Sequence, residues 1–387
     1  MRIILLIDWI DIYHLLEVST NNYINALSVS KSLLFWKIII ISFIAYIGAN
    51  GLVDFYSELL DILFDHSTEY HPSLLTPLTS NNKYRSNIES KVSIDDLSLI
   101  TALNQLFDGT NHKIDEKSLD SAFAFAVPTF QPTQNFMKRN NNLISFPQDI
   151  DVTRNTLFTT KQWFPHSSVY LSSAYLNPTP FLMEAIKRFG VLDKSSKSRS
   201  SNGASYLMTA APNSHGFKPK KKNDSVNGSG KGWVPSVFLK LAEDISSIIS
   251  KNGGKILLYD REDFTFHAKG LWLTEGHSKL NQADKRRRGQ IIVDSENDLL
   301  ATVIGSSNFG ARSEVLDWES NCILVMNPLV SSQKEARTLR SEIAGEWNNM
   351  LEHCTDLGSR KDLKVNKERN LNWMISNVAT QLARGFF

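Results

Sequence analysis

Cysteine is nearly missing from this chain. Cys322 and Cys354 are the only two in 387 residues, which excludes a disulfide framework and a cysteine-built zinc site. Charge of one sign is also lacking. The 42 basic and 40 acidic side chains leave a formal charge of +2, so no global field draws in a polyanion, and nucleic acid is not an expected partner. The basic runs Lys218 to Lys222 and Lys285 to Arg288 read as solvated loops. No Gly-Lys-Thr loop offers a nucleotide-phosphate cradle. A long apolar run is missing too. Leu33 to Ile47, interrupted by Lys37 and Ser42, is about 15 residues, short of the roughly 20 that span a bilayer. It is compatible with a buried strand and turn, a membrane-surface segment or a poor spanning helix. Asp8, Asp11 and Glu17 precede it, unlike an Arg-rich transit peptide, and no signal-peptide cleavage pattern follows.

What remains is an ordinary globular composition. With 42% hydrophobic and 21% charged residues, the chain can bury a sizeable core as two domains or one large α/β unit. Residues 51–65 read as an amphipathic helix with Val53, Tyr56, Leu60 and Leu63 on one face. Residues 66–100 read as a polar loop or insertion, 115–126 as a helix, and 128–165 show no clear period. From Ser167 the pattern sharpens. Strands are expected at 168–175, 206–210, 255–259, 264–273, 290–294, 299–304 and 320–326. Helices are expected at 180–189, 235–251, around Leu339, Ile343, Trp347 and Leu351, and near 368–384. Polar segments at 193–203, 212–233 and 275–289 read as loops. The order of strands and helices predicts an α/β or α+β sandwich.

Against this background His267-Ala-Lys269 stands out, in the apolar stretch Phe264 to Leu273. In a strand, residues two apart point to one face, so imidazole and ammonium would enter one pocket. Gly305-Ser306-Ser307-Asn308 could close that pocket from a second strand. Attack on a phosphodiester needs a nucleophile, a proton donor for the leaving oxygen, and cations or N–H groups for the developing charge. Imidazole supplies either of the first two, and the lysine opposes the non-bridging oxygens. Asn308 and Ser306 can hydrogen-bond phosphate, and Glu319 or Asp317 can fix the histidine tautomer. His277-Ser-Lys279 has the same spacing in a polar loop and reads as accidental.

These residues resemble the phospholipase D superfamily, whose motif runs His-x-Lys and then Gly-Ser-x-Asn. The longer strings Phe266 to Trp272 and Ile304 to Ser313, with Asp317 and Glu319, are similar to the second motif of the eukaryotic phosphatidylglycerophosphate synthase family. Ser173 to Asn177 and Leu207 to Phe217 are similar to that family's middle region, and Leu52 to Tyr56 to the helix after its first motif. The superfamily Asp five residues past the lysine is replaced by Thr274, as in relatives of this synthase.

The resemblance implies a phospholipase D-like α-β-α sandwich with a complete C-terminal lobe and a fragmentary N-terminal one. It divides the chain into an atypical apolar segment at 1–50, a remnant of the first lobe at 51–160 and the second catalytic lobe at 161–387. It implies transfer of a phosphatidyl group from CDP-diacylglycerol to sn-glycerol 3-phosphate at the mitochondrial inner membrane, without metal or cofactor. The implied catalytic residues are His267, Lys269, Asn308 and Glu319, with Ser306, Ser307, Arg312, Tyr175 and Asn177 against substrate. The family's first His-x-Lys motif has no counterpart in residues 1–50, where His14 stands without a lysine two places on. The superfamily cycle uses one histidine as nucleophile and another as acid/base, and His267 is read as the acid/base. A longer form of the protein, or a homodimer, would supply the second; helix 51–65 favours the longer form. The alternatives are another phosphatidyltransferase or phosphodiesterase of this type, or a chain that only binds.

Overall fold

The computed structural model describes residues 50–66, 94–109, 122–140, 143–190, 203–217, 234–275 and 299–359. Contacts divide the chain into two units, the smaller comprising residues 1–112 with 143–146 and the larger 113–142 with 147–387.

In the smaller unit, α1 (Asn50–Asp65) and α2 (Ile94–Gly109) bury Phe55, Tyr56, Leu59, Leu60, Ile100, Leu103 and Phe107. Phe55 meets Phe107 edge-on at 5.0 Å, and Phe107 stacks on Phe146 at 5.3 Å. Helix 51–65 is thus observed as expected, with Tyr56 and Leu60 on its buried face. The expected loop over 66–100 is corrected at its end, where α2 starts at Ile94. The weak segregation of apolar and polar positions in α2 hid it.

The larger unit is built on an eight-stranded sheet. Its strands are β1 (Ala124–Gln131), β2 (Ser168–Ser173), β3 (Ser205–Ala210), β4 (Lys255–Tyr259), β5 (Lys269–Thr274), β6 (Leu299–Gly305), β7 (Glu319–Met326) and β8 (Cys354–Asp356). Their order is β1-β7-β6-β5-β2-β3-β4-β8. β2, β3 and β4 run parallel, and every other neighbouring pair is antiparallel. The helices are α3 (Gln134–Asn140), α4 (Asp149–Trp163), α5 (Pro180–Lys187), α6 (Val234–Ile249), α7 (Ala311–Val315) and α8 (Lys334–Leu351).

Strand alternation assigns each face its cover. Val169 and Leu171 of β2, Leu271 and Leu273 of β5 and Val303 of β6 pack with Leu157 of α4, Leu182 and Ile186 of α5, and Ile245 of α6. Tyr170 and Trp272 point the other way, onto Trp347 of α8 at 5.3 and 5.6 Å. Trp272 Nε1 donates to the Ile343 carbonyl at 3.1 Å. Helices therefore cover both faces, giving the α-β-α sandwich that the resemblance implies. α5 starts at Pro180 after Thr179, whose hydroxyl accepts from Leu182 N, a proline-plus-cap start.

Two further expectations are corrected. The part of 115–126 within the described residues is not helical, because β1 begins at Ala124 and pairs along its length with β7. Pro128 is tolerated there because β1 is an edge strand. Residues 128–165 hold α3 and α4. The buried face of α4 is Asp149, Thr153, Leu157 and Thr160, a helical repeat made mostly of polar residues, so a hydrophobic period could not reveal it. The segments expected at 290–294 and 368–384 lie outside the described residues, as do 1–49, His277, Lys279 and most of 275–289.

Candidate active site

The C-terminal ends of β1, β2 and β6 and the N-terminal ends of β5 and β7 lie at one edge of the sheet. Ser173 is the register partner of Lys269, Gly305 of Asn321, and Gln131 of Glu319. Lys269 has the same parity in β5 as Leu271 and Leu273, and Glu319 the same parity in β7 as Ile323. Both side chains therefore leave the face covered by α4, α5 and α6, where that face runs out of apolar cover.

His267 precedes β5 rather than lying in it, which corrects the expected strand over 264–273. The ladder ends at Lys269 because β2 ends at its partner Ser173. Phe266 N instead donates to the Ser214 carbonyl at 2.8 Å. The two side chains nevertheless meet, by a different route. Lys269 Nζ lies 2.9 Å from His267 Nδ1 and 3.4 Å from the His267 carbonyl. An ammonium donating to Nδ1 leaves the ring proton on Nε2.

Burial, and then the Lys269 charge, push His267 down to about 4, so the ring is neutral at physiological pH. Much of the residue's surface meets solvent, so dehydration is incomplete, and a bound phosphate would offset the Lys269 charge. Burial lowers Lys269 to about 8, against the raising effect of the Glu319 carboxylate. Burial raises Glu319 itself, against hydrogen bonds from Ser306 and Ser313.

The Gly-Ser-Ser-Asn turn follows β6. At Gly305 an added Cβ would sit 2.0 Å from Asn321 Oδ1 and 2.4 Å from the Ser320 carbonyl, so β7 passes too close for any side chain. Ser306 Oγ donates to Glu319 Oε2 and accepts from Ser320 N at 3.0 Å. Ser307 N donates to Asn321 Oδ1 at 3.3 Å, and Ser307 Oγ accepts from Phe309 N at 3.0 Å. Asn308 N donates to Ser313 Oγ at 3.1 Å, and the Asn308 carbonyl accepts from Ser173 Oγ at 2.6 Å. Phe309 has φ 53°, a left-handed conformation that bulky residues rarely adopt. Asn308 Oδ1 is buried with no hydrogen-bond partner among the described residues.

The predicted residues divide into those facing the imidazole and those holding the frame. Lys269 touches His267, Tyr175 meets the His267 ring edge-on at 6.0 Å, and Glu319 acts electrostatically on Lys269. Ser173 ties the Asn308 turn to the strand position opposite Lys269. Ser307 is buried in the turn, and Asn177 is buried with its carbonyl accepting from Ala311 N at 3.0 Å; both build the frame. Arg312 is exposed and forms a two-pronged pair with Asp317, Nε to Oδ2 at 2.9 Å and to Oδ1 at 3.1 Å. Arg312 lies on α7 and Asp317 two residues before β7, so the pair closes the loop between them.

Sequence reasoning did not single out Ser173, His215 or Asp149. Asp149, in the first turn of α4, accepts from Thr129 Oγ at 3.1 Å and Thr153 Oγ at 3.2 Å. It shares a small cavity of about 20 Å³ with Gln131, Ser307 and Ser313, room for about one water. A buried acid behind the turn had no signal, since an Asp opening a helix is ordinary capping chemistry. Among the described residues no cluster of His, Cys, Asp and Glu could hold a metal, and no helix is long and apolar enough to cross a membrane.

No family model matches the chain. It is 25% identical over 184 residues to a CDP-diacylglycerol–glycerol-3-phosphate 3-phosphatidyltransferase of Saccharomyces pastorianus, covering 46% of this chain and 30% of that protein. It is 29% identical over 130 residues to a probable enzyme of the same name from Dictyostelium discoideum, covering 33% and 18%. It is 24% identical over 242 residues to a mitochondrial one from Bos taurus, covering 61% and 34%. The matched part thus spans about a third or less of these relatives. Among solved structures, a phosphatidylserine synthase of Haemophilus influenzae aligns with TM-score 0.47 and 12% identity, over 85% of this chain and 62% of that one. The three relatives named here, to which this chain is similar, are thus all named as CDP-diacylglycerol–glycerol-3-phosphate 3-phosphatidyltransferases.

Proposed function

We propose that this chain carries one catalytic half of a phospholipase D-type phosphatidyltransferase. The reaction moves the phosphatidyl group from CDP-diacylglycerol to the primary hydroxyl of sn-glycerol 3-phosphate. A phosphorus–oxygen bond to CMP breaks, one to the glycerol oxygen forms, and the hydroxyl proton ends on CMP or solvent. The observation that carries this reading is the contact of Lys269 Nζ with His267 Nδ1 at 2.9 Å, beside a turn locked across the sheet by Ser173.

In this reading Lys269 neutralises the non-bridging oxygens. The Asn308 side-chain N–H donates to a phosphate oxygen. His267 is the acid/base: Nε2–H donates to a phosphate oxygen, and the ring takes up a full proton once the anionic substrate offsets Lys269. Glu319 keeps Lys269 charged, and Ser306 holds Glu319. Tyr175 walls the cleft, Arg312 meets anionic substrate at its rim, and Ser307 and Asn177 keep the turn in shape. The covalent half of the cycle needs a second imidazole, from a longer form of the protein or from a second copy. We assign residues 51–160 to the first lobe and 161–387 to the second, working at the mitochondrial inner membrane on lipid substrate.

The test is purified chain with CDP-diacylglycerol and labelled sn-glycerol 3-phosphate in mixed micelles. Turnover by the chain alone is expected to be low or nil, and any phosphatidylglycerophosphate formed is lost in His267→Ala. Binding of dioctanoyl CDP-diacylglycerol by the wild type, lost in Lys269→Met, carries the test where turnover is below detection. Equal transfer to serine or water, or turnover that survives His267→Ala, would contradict the assignment.

A further inference from the structure

Next to His267, behind the cleft wall formed by Tyr175, stand rings that the proposed chemistry does not use. Tyr175 lies 6.0 Å from His267 and 5.3 Å from His215, edge-on to both. Phe238 lies 5.2 Å from His215 and 5.4 Å from Tyr175. Phe217 lies 5.7 Å from His215 and 5.8 Å from Tyr175. One aromatic ring, Tyr175, therefore separates the two imidazoles.

The segment carrying His215 is fastened to the segment carrying His267. Phe266 N donates to the Ser214 carbonyl at 2.8 Å. Ser214 Oγ donates to the Arg261 carbonyl and accepts from Arg261 N, each at 3.1 Å. Gly216 rests against the Tyr175 hydroxyl, where an added Cβ would approach to 2.8 Å. The ring cluster and His267 thus form a connected assembly.

Its polar chemistry is incomplete. His215 is 1% exposed. Phe217 N donates to His215 Nδ1 at 3.1 Å, which leaves the ring proton on Nε2. That N–H is buried with no partner among the described residues, a cost that folding alone does not recover. Burial holds His215 at about 4, so at neutral pH it is an uncharged donor. An uncharged donor set among rings suits a flat, neutral group carrying an acceptor, whereas phosphate is served by Lys269. Phe217 leaves 39% of its surface open, a face on which such a group can stack.

We propose that Tyr175, His215, Phe217 and Phe238 form a nucleobase subsite, with His215 Nε2–H donating to a ring nitrogen or carbonyl of the base and Phe217 stacking on it. This rests on the reading above that His267 and Lys269 handle the phosphate of a nucleotide-linked lipid, which makes the base cytosine. Bases of every kind stack on aromatic side chains, and a single well-placed donor adds preference.

Calorimetric titration of the full chain with CMP and with ribose 5-phosphate separates the base from the phosphate. CMP is expected to bind at least tenfold more tightly than ribose 5-phosphate. Phe217→Ala, a change at the surface, and His215→Phe should each bring CMP to the level of ribose 5-phosphate. Lys269→Met should weaken both ligands. Thermal unfolding of His215→Phe reports on its fold, and Phe217→Ala carries the test if that variant is unfolded. Equal binding of the two ligands to the wild type would overturn the subsite and leave the phosphate site intact. Binding of neither would overturn the phosphate site as well.

Discussion

The Ser173 hydroxyl donates to the Asn308 carbonyl at 2.6 Å, while the Ser173 backbone pairs with Lys269. A small side chain at the end of β2 thereby fixes the distance between the ammonium and the asparagine turn, residues far apart in the chain. Removing this hydroxyl in Ser173→Ala should cost about 1 kcal/mol of stability and weaken phosphate-ligand binding several-fold. Urea unfolding and calorimetry read the two effects separately.

Gly305 should not tolerate a side chain. The clash with Asn321 Oδ1 and the Ser320 carbonyl forces β6 and β7 apart, so Gly305→Ala should lose about 1–3 kcal/mol or more. Gly253, with φ 80° and open space around it, should lose only about 1 kcal/mol as alanine. Unfolding midpoints of the two variants give the comparison.

Lys269 sets an alkaline limit. With its ammonium lowered to about 8, charge is lost as pH rises through that value, and binding of dioctanoyl CDP-diacylglycerol should fall with it. Bound phosphate raises the value, so the apparent midpoint should lie at or above 8. Lys269→Arg should remove the limb, because guanidinium stays charged. A titration of affinity against pH between 6 and about 10 shows whether the limb is present.

Glu319 is held at the expense of stability. Its carboxyl is raised above the usual range, burial being the main cause. An acid raised in the folded state binds its proton more tightly there. Its contribution is therefore fully present below the unfolded value and lost as pH rises through the folded one. Glu319→Gln should gain stability relative to wild type on going from pH about 4 to about 8, while losing substrate binding. Urea midpoints at the two pH values test the sign.

Much of the sheet was legible in the sequence, because β2, β3, β4, β6 and β7 are apolar runs bounded by turn residues. β1 was not, since half of it is an open edge and it contains Pro128. α4 was not, since threonines and Asp149 occupy its buried face. At the candidate site, residue types and spacing pointed to His267, Lys269, Glu319 and the Asn308 turn, and the fold brings Lys269 against His267, although the strand argument for His267 failed. A loop hydrogen-bonded to Ser214 brings the imidazole to the lysine instead. Ser173 and His215 lie in the strings similar to the family's middle region but could not be singled out, because their partners, Asn308 and Tyr175, are brought to them only by the fold.

Calorimetric titration of dioctanoyl CDP-diacylglycerol against wild type, Lys269→Met and Asn308→Ala tests the phosphate site most directly. The account predicts measurable binding to the wild type and at least about tenfold weaker binding to each variant, a change of about 1.4 kcal/mol. Equal affinity in all three proteins would contradict it.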